Sequence, residues 1–507
     1  MFYRRKKNKS GSVSIQIISK HQGIYKVMKT IGCAFDEQEI VALEYQAKHE
    51  ILRLQEQPSL FINQDDALLE GFLKLLSNAD VLVAGPEMVF GRIYDSIGYN
   101  AIKEDLFRHL VISRLAYPGS KLKTIDYLQR YSGVYLQVDA IYRFLDRLHH
   151  KLKEQLEQIT YRHTVKLLDG KPGVVFYDMT TLHFEASDED DLRKTGFSKT
   201  GKHQEPQIYL GLLVTTNGYP IGYEVFEGNT FEAHTLIPVI EKFEKKFNFS
   251  KPIIIADAGL ITAKNIQQLE TSGYQYILGA RIKNESAFIK NKILSLQLKD
   301  REHAQIKKSN TQRLIIQFTQ NRSAKDRNNR QRGLSRLEKQ IKTGRLTKSH
   351  INNKGYNKYL KMTGSVAIEI DYEKFKQDEQ WDGLKGYNTN CRLSAKQIIE
   401  NYNQLWQIEK AFRISKTDLK VRPIYHRIRH RIDAHISIAF TAYAIYKEIE
   451  RVLHKENSKI SVIRAAELTH TMYQLMVTLP QSRVRKSILP KLDKEQQALL
   501  QVINKNF

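Results

Sequence analysis

The chain has 507 residues, enough for two to four domains, and its 41% hydrophobic and 10% aromatic content is that of an ordinary globular protein. Its 80 Lys+Arg against 55 Asp+Glu leave a net charge of +25, a balance that favours a polyanionic partner, most often nucleic acid. Two cysteines, Cys33 and Cys391, exclude a disulfide framework and a cysteine-rich zinc site. The absence of a long apolar run makes a soluble, intracellular chain with no membrane contact the expectation.

Residues 1–60 read as a hairpin and a helix. Val13, Ile15 and Ile17 alternate with Ser12, Ser14 and Gln16, a turn falls at His21–Gly23, and Tyr25–Ile31 returns. Asp36 can cap a helix running to about Gln57, with Ile40, Leu43, Ala47, Ile51 and Leu54 on one face and Pro58 ending it. Residues 61–168 form the next region, with a helical pattern throughout from about Ala67 to Thr164. There Ser120–Tyr131 and Val138–His149, broken at Ser132–Gly133, have helix–turn–helix spacing. Lys121, Lys123, Arg130, Arg143 and Arg147 could approach phosphates, and a helical bundle with solvated basic faces fits the same stretch.

From residue 169 the pattern changes to α/β. Gly173–Tyr177 is a short strand that stops at Asp178, and Gln207–Thr216 and Tyr219–Phe226 are strands joined by the hairpin signal Asn217-Gly218. A helix over Ala233–Phe247 is followed by Pro252–Ala256, an apolar strand expected at the sheet centre and closed by Asp257. Thr262–Ser272 reads as a helix and Tyr274–Ala280 as a strand, which completes a first core segment at 169–285. Residues 286–390 carry short strands (Leu314–Phe318, Val366–Ile370, Leu384–Thr389) and a very basic helical stretch. Between 301 and 348, fourteen Lys/Arg stand against only Glu302, Asp326 and Glu338, a run that an ordinary solvated face would also give but that, inserted between a core strand and its partner helix, favours DNA contact. Residues 391–455 return to the core with two helices, the second from Arg427 to about His454 with an apolar middle, and 456–507 are a mixed helical tail.

The stretch Ser394–Lys416 organises the rest. Ser394 and Gln397 form a capping box, and Ile398, Tyr402, Leu405, Glu409, Phe412 and Lys416 fall on one helix face. One carboxylate in an apolar stripe needs a positive partner, whether Lys416, Arg413 or a metal ion. Three antiparallel strands followed by alternating helices and parallel strands bring the ends of the first and fourth strands together at mid-sheet. Asp178 and Asp257 therefore meet, and a later helix can hang Glu409 beside them. Such an oxygen cage suits two Mg²⁺ ions, with Mn²⁺ able to substitute, acting on a phosphodiester.

Phe176-Tyr177-Asp178-Met179-Thr180-Thr181, Ala256-Asp257-Ala258-Gly259-Leu260 and Tyr402–Lys416 resemble bacterial insertion-sequence transposases of the DDE class, in the insertion-sequence-four-like branch. Phe197-Ser198-Lys199, Gly228-Asn229-Thr230-Phe231-Glu232, Asp382-Gly383 with Thr389-Asn390, and Arg422–His426 extend the likeness. The resemblance implies a ribonuclease-H-like mixed sheet with a strand-rich basic insertion before the last acid, and an N-terminal region that binds DNA. It implies Asp178, Asp257 and Glu409 as catalytic and metal-binding residues, and Tyr402 and Lys416 as phosphate contacts. The implied partners are the element's terminal inverted repeats and target DNA, bound by a homodimer in a bacterial, nucleoid-associated setting in the cytoplasm. A nuclease of the same fold that cuts without rejoining, or a non-catalytic descendant that only binds DNA, would share much of this. The branch has Tyr, two residues, Arg, three residues, Glu, six residues, Lys, but here Leu405 stands where the Arg belongs. Arg413 or a nearby basic residue is the candidate for the missing contact.

Other attractive residues receive plainer roles. Asp188–Asp191 reads as a solvated loop, His183, His203 and His234 as structural or surface histidines, and Trp406 as core, with Trp381 left open between core packing and base stacking.

Overall fold

The computed structural model describes residues 1–21, 23–55, 73, 76–77, 80–170, 172–185, 188–197, 204–248, 251–260, 262–352, 355–363, 367–479, 482 and 484–507. Pro58, Ala67, Ser198, Lys199, His203 and Val366, all named above, lie outside these described residues. Contacts divide the chain into two units. The first joins Met1–Arg92, Lys121–Val138 and Glu456–Phe507, and the second joins Ile93–Ser120 and Asp139–Lys455.

The first unit opens with three antiparallel strands, β1 (Phe2–Lys7), β2 (Val13–His21) and β3 (Ile24–Ala34). The expected hairpin is β2 and β3. β1 was hidden in the sequence by its charge, since Arg5 sits on its inner side and is neutralised by Glu37 and Glu44 of the following helix. The alternation in β2 buries Ile15 and Ile17 against Ile40, Ala47 and Ile51 of that helix, Glu37–Leu54. Asp36 stands at its N-cap without a side-chain cap bond. The region read as helical throughout contains a short strand, β4 (Val81–Val83). Of the five cations of the helix–turn–helix-like stretch, Lys121 is buried, and Arg130 and Arg147 are ion-paired with Asp126 and Glu104. The second helix of the pair, which belongs to the second unit, does not stop at His149 but widens at Leu148–Leu152 and continues as Lys153–Leu167.

The second unit is built on an eight-stranded mixed sheet. Its strands are β5 (Val174–His183), β6 (Gln207–Thr215), β7 (Pro220–Glu227), β8 (Ile253–Ala256), β9 (Gln275–Ala280), β10 (His303–Lys307), β11 (Arg313–Phe318) and β14 (Leu384–Thr389). A separate hairpin, β12 (Leu360–Thr363) and β13 (Ala367–Ile370), lies in the sequence between the last two. The order across the sheet is β10-β11-β14-β9-β8-β5-β6-β7. β5, β6 and β7 are antiparallel neighbours, β8 is parallel to both β5 and β9, and β14, β11 and β10 extend the sheet antiparallel beyond β9. This mixed sheet fits a ribonuclease-H-like fold. β10 and β12 were not foreseen, being short and polar.

Side-chain alternation divides the sheet's two faces. Val175, Tyr177, Met179, Ile254, Ala256, Tyr276 and Leu278 pack with Phe243 and Leu269 of the helices Leu236–Phe247 and Ala263–Thr271. The opposite face therefore carries Phe176, Asp178 and Thr180 on β5 and Ile255 on β8, with Asp257 next in phase. On β9 it carries Ile277 and Gly279. The Arg429–Lys455 helix, buried through its middle, packs on β7, where Tyr223 bonds Ser437 at 2.6 Å. In the segment after β9, the 23-residue helix Gln320–Lys342 is the basic stretch, and Leu334 and Leu337 form a small core with Tyr359, Leu360 and Ile370.

The tail returns to the first unit with strands as well as helices. β15 (Tyr473–Thr478) pairs with β16 (Arg485–Ile488) and with β4, between the helices Val462–Thr469 and Lys494–Asn506. No described helix is long and apolar enough to cross a membrane.

Candidate active site

β5 does not stop at Asp178. It runs five residues further because β6 continues to pair with it, Asp178 opposite Leu212. What ends here is the neighbour: β8 closes at Ala256 and turns through Ala258–Leu260. The parallel register sets Val174 beside Ile253, Val175 beside Ile254 and Phe176 beside Ile255. Asp178 and Asp257 are each two residues beyond the last of these pairs. They therefore occupy corresponding positions and share the face opposite the Tyr177 cluster. Asp178 is half-buried and Asp257 exposed.

The capping box forms as read: the Gln397 N–H donates to Ser394 Oγ and the Ser394 N–H to Gln397 Oε1, opening the helix Ala395–Asn403. The expected single helix is interrupted at Gln404–Leu405, resumes as Trp406–Arg413 and widens over Ile414–Asp418. At the step, the N–H groups of Leu405, Gln407 and Ile408 reach back three residues instead of four. Tight turns of three residues advance the phase, so six residues rather than seven separate successive inward positions. Tyr402 is thus followed inward by Ile408, both buried, while Leu405 is half-buried and Glu409 is exposed. The carboxylate expected in a buried stripe instead faces an opening.

That opening is a cavity of about 420 Å³ lined by Asp257, Glu409, Tyr402, Leu405, Trp406 and, from the basic segment, Arg322 and Lys385. The Tyr402 hydroxyl donates to Asp257 Oδ1 at 3.3 Å. Its ring meets Tyr387 edge-on at 4.9 Å and lies over Gly279, where a Cβ would come within 2.4 Å of the hydroxyl oxygen. Burial, reinforced by Asp257, pushes the Tyr402 phenol well above its ordinary pKa, so it remains a donor. The Lys385 ammonium sits 4.5 Å from the Tyr402 ring centre and 5.3 Å from that of Tyr387.

Lys416 reaches the same sheet face, where its ammonium donates to Thr180 Oγ1, two residues beyond Asp178. Arg413 is exposed and does not line the cavity. Asp178 does not line it either, and among the described residues no three His, Cys, Asp or Glu side chains stand close enough to hold one metal ion. Asp257 and Glu409 share an opening, and Asp178 joins them only by strand register and face. The donor chemistry is all oxygen, which fits a hard divalent cation.

The remaining candidates separate clearly. Trp406, expected in the core, is 48% exposed at the cavity rim, while Trp381 is half-buried beside the Ile289–Ile316 cluster. His183 is buried, and His234 is exposed against Phe231. In the acidic loop, Asp190 accepts from Arg193 and two backbone N–H groups, and Asp191 pairs with Arg429. Sequence reasoning missed Arg322, Lys385 and Tyr387. The last two alternate on a strand that was read correctly, so their common face was available as a signal.

A family model described as Transposase DDE domain matches residues 169–445. No curated protein sequence matches the chain. Among solved structures, similarity is found to a piggyBac transposase synaptic complex with hairpin DNA, at 9% identity over 82% of each chain with a TM-score of 0.39. It is also found to a Mos1 transposase paired-end complex with the left transposon end, at 11% identity over 46% of this chain and 72% of that one, with a TM-score of 0.16. The matched span takes in more than half of the chain, with Asp178, Asp257 and Glu409 inside it, and the chain belongs to the transposase DDE-domain family.

Proposed function

We propose that the chain is a DNA transposase of the insertion-sequence-four-like branch, cutting at the ends of its element and joining the freed 3′-OH to target DNA. The observation that carries this reading is the register of β5 and β8. Asp178 and Asp257 each lie two residues beyond its last pair. Tyr402 bonds Asp257, Glu409 lines the cavity with Asp257, and Lys416 bonds Thr180, which supports a shared site.

Asp178, Asp257 and Glu409 would hold two Mg²⁺, or Mn²⁺. Bound there, such ions supply charge neutralisation at the reacting phosphate and a more acidic water. The chain's own residues do the rest. Tyr402, held by packing on Gly279, fixes the orientation of Asp257. Lys416 sets a cation beside Asp178 through Thr180, on the side where phosphate charge must be balanced. In the first step a water oxygen bonds to phosphorus as the P–O3′ bond breaks, leaving a 3′-OH and a 5′-phosphate. In the second, that hydroxyl bonds to a target phosphorus as the target P–O3′ bond breaks, and the departing target 3′-oxygen takes up a proton in exchange for the one the attacking hydroxyl gives up. Neither step needs a covalent link to protein.

Double-stranded DNA, as terminal inverted repeats and as target, is the partner this reading assigns. The helical N-terminal region and the basic segment would hold it, in a homodimer that pairs two ends within the bacterial nucleoid. The test is an integration assay with labelled end DNA, supercoiled plasmid and Mg²⁺. Joined product supports the transposase, cleavage with no joined product favours the nuclease, and DNA binding without cleavage leaves a binding protein.

A further inference from the structure

We propose that Arg322 and Lys385 form a binding site for a DNA backbone phosphate beside the catalytic acids, supplying the positive charge that Leu405 does not. The inference rests on the transposase reading and names which part of the chain grips the strand being cut.

Lys385 lies on β14 two residues before Tyr387, and Tyr387 is paired with Gly279 on β9, so all three share the face on which Tyr402 rests. Its ammonium is held by two aromatic rings and, among the described residues, has no carboxylate within 4 Å. Burial and the neighbouring Arg322 lower its pKa from the ordinary 10.5, while Asp257 and Glu409 act the other way. The lysine thus shares one cavity with a second cation and with the acid pair, near enough to feel both. Arg322 is near the start of the Gln320–Lys342 helix, 45% exposed, with only a loose 3.4 Å pairing to Asp326. Exposed pairs of this kind are weak, so the guanidinium is available to a stronger anion.

Both side chains line the cavity that contains Asp257, Glu409 and Leu405, and both also line the two adjoining cavities of about 500 and about 390 Å³. They are the wall common to three openings; in the larger of the other two, Lys283 and Lys358 are paired with Asp378 and Arg330 with Asp382, and the smaller adds Arg301. An anion brought up to Asp257 and Glu409 meets like charge unless a cation intervenes. A phosphodiester backbone has the charge and the repeat to bridge the openings. Arginine offers it a fork of donors and lysine a point charge. Leu405, lining the same cavity, offers neither.

The test uses the full chain, Mg²⁺ and a supercoiled plasmid carrying the gene with its flanking DNA. Arg322→Gln and Lys385→Gln should each slow cleavage roughly tenfold and make the fall of log affinity with log salt shallower by about one. Adding Leu405→Arg to the Arg322→Gln/Lys385→Gln double variant should restore about tenfold, which a merely structural defect would not allow. Tryptophan fluorescence during urea unfolding checks that the variants remain folded. Wild-type cleavage and an unchanged salt slope in the double variant overturn the phosphate site and leave the transposase reading standing. A wild-type chain that cuts no plasmid in Mg²⁺ or Mn²⁺ overturns the transposase reading and this site with it.

Discussion

Gly279 and Tyr402 should be energetically coupled, and the coupling can be worked from the contact between them. A Cβ at residue 279 would lie 2.4 Å from the Tyr402 hydroxyl oxygen, 3.2 Å from the Ala258 nitrogen and 3.3 Å from Tyr402 Cζ. Only the first of these is a clash that something must move to relieve. Tyr402 is buried and wedged by Tyr387 and Lys385, so it cannot swing away freely. Gly279→Ala is therefore an overpacking substitution expected to cost about 1–3 kcal/mol. Tyr402→Phe removes the hydrogen bond to Asp257, but Asp257 is exposed and the bond is 3.3 Å, so about 1 kcal/mol is expected. In the double variant the clashing oxygen is gone, and Gly279→Ala should cost at least about 1 kcal/mol less than it does in the wild type. The chain's two tryptophans, Trp381 and Trp406, both lie in the second unit, so fluorescence-monitored urea unfolding reports that unit alone. Costs that add to within about 0.5 kcal/mol would refute the proposed contact.

Other expectations concern the same unit. Asp146 is bound by Arg431 at 2.6 and 2.8 Å and by His430 at 2.8 Å, and the guanidinium in particular pulls its carboxyl down to about 2. A depressed carboxyl contributes stability above its unfolded pKa near 3.8 and loses it as pH falls through about 2. Asp146→Asn should therefore cost about 1 kcal/mol at pH 7, after discounting for solvent screening, and the gap should shrink as pH falls from about 5 towards 2. A gap that stays constant over that range would contradict the pairing. Ser394→Ala breaks the capping box and should lower the unfolding free energy by about 1 kcal/mol, read from the same fluorescence transition. Lys416→Gln should slow plasmid cleavage at least about tenfold while leaving the urea midpoint nearly unchanged, and unimpaired cleavage would remove Lys416 from the site.

The sequence made the eight-stranded sheet legible where pattern and physics coincide. The apolar run before Asp257 read as a central strand, which it is, and Asn217-Gly218 marked the hairpin of β6 and β7, where the Gly218 N–H reaches Thr215 O at 2.9 Å with φ at +77°. What failed were features decided by tertiary contact. The charged segment Phe2–Lys7 is a strand because Glu37 and Glu44 neutralise Arg5. Val81–Val83 is a strand because β15, almost four hundred residues later, supplies its partner. The reading of Ser394–Lys416 assumed one unbroken 3.6-residue period, and the tightened turn at Leu405 rotated Glu409 outward and left Trp406 at the surface. Arg322 and Lys385 could not be assigned to the acids from spacing alone, because they come from a segment that meets the core strands through the pairing of β14 with β9.

Asp178 is the acid that the cavity does not reach, so it tests the shared-site account most directly. The measurement is Mg²⁺-dependent cleavage of the gene-bearing supercoiled plasmid by Asp178→Asn, side by side with Asp257→Asn. If strand register unites the two acids around common cations, both variants lose at least about a thousandfold in rate, the several kcal/mol that metal-assisted chemistry supplies. If Asp178→Asn cuts near the wild-type rate while Asp257→Asn is inert, the site is built without its first acid and the account is wrong.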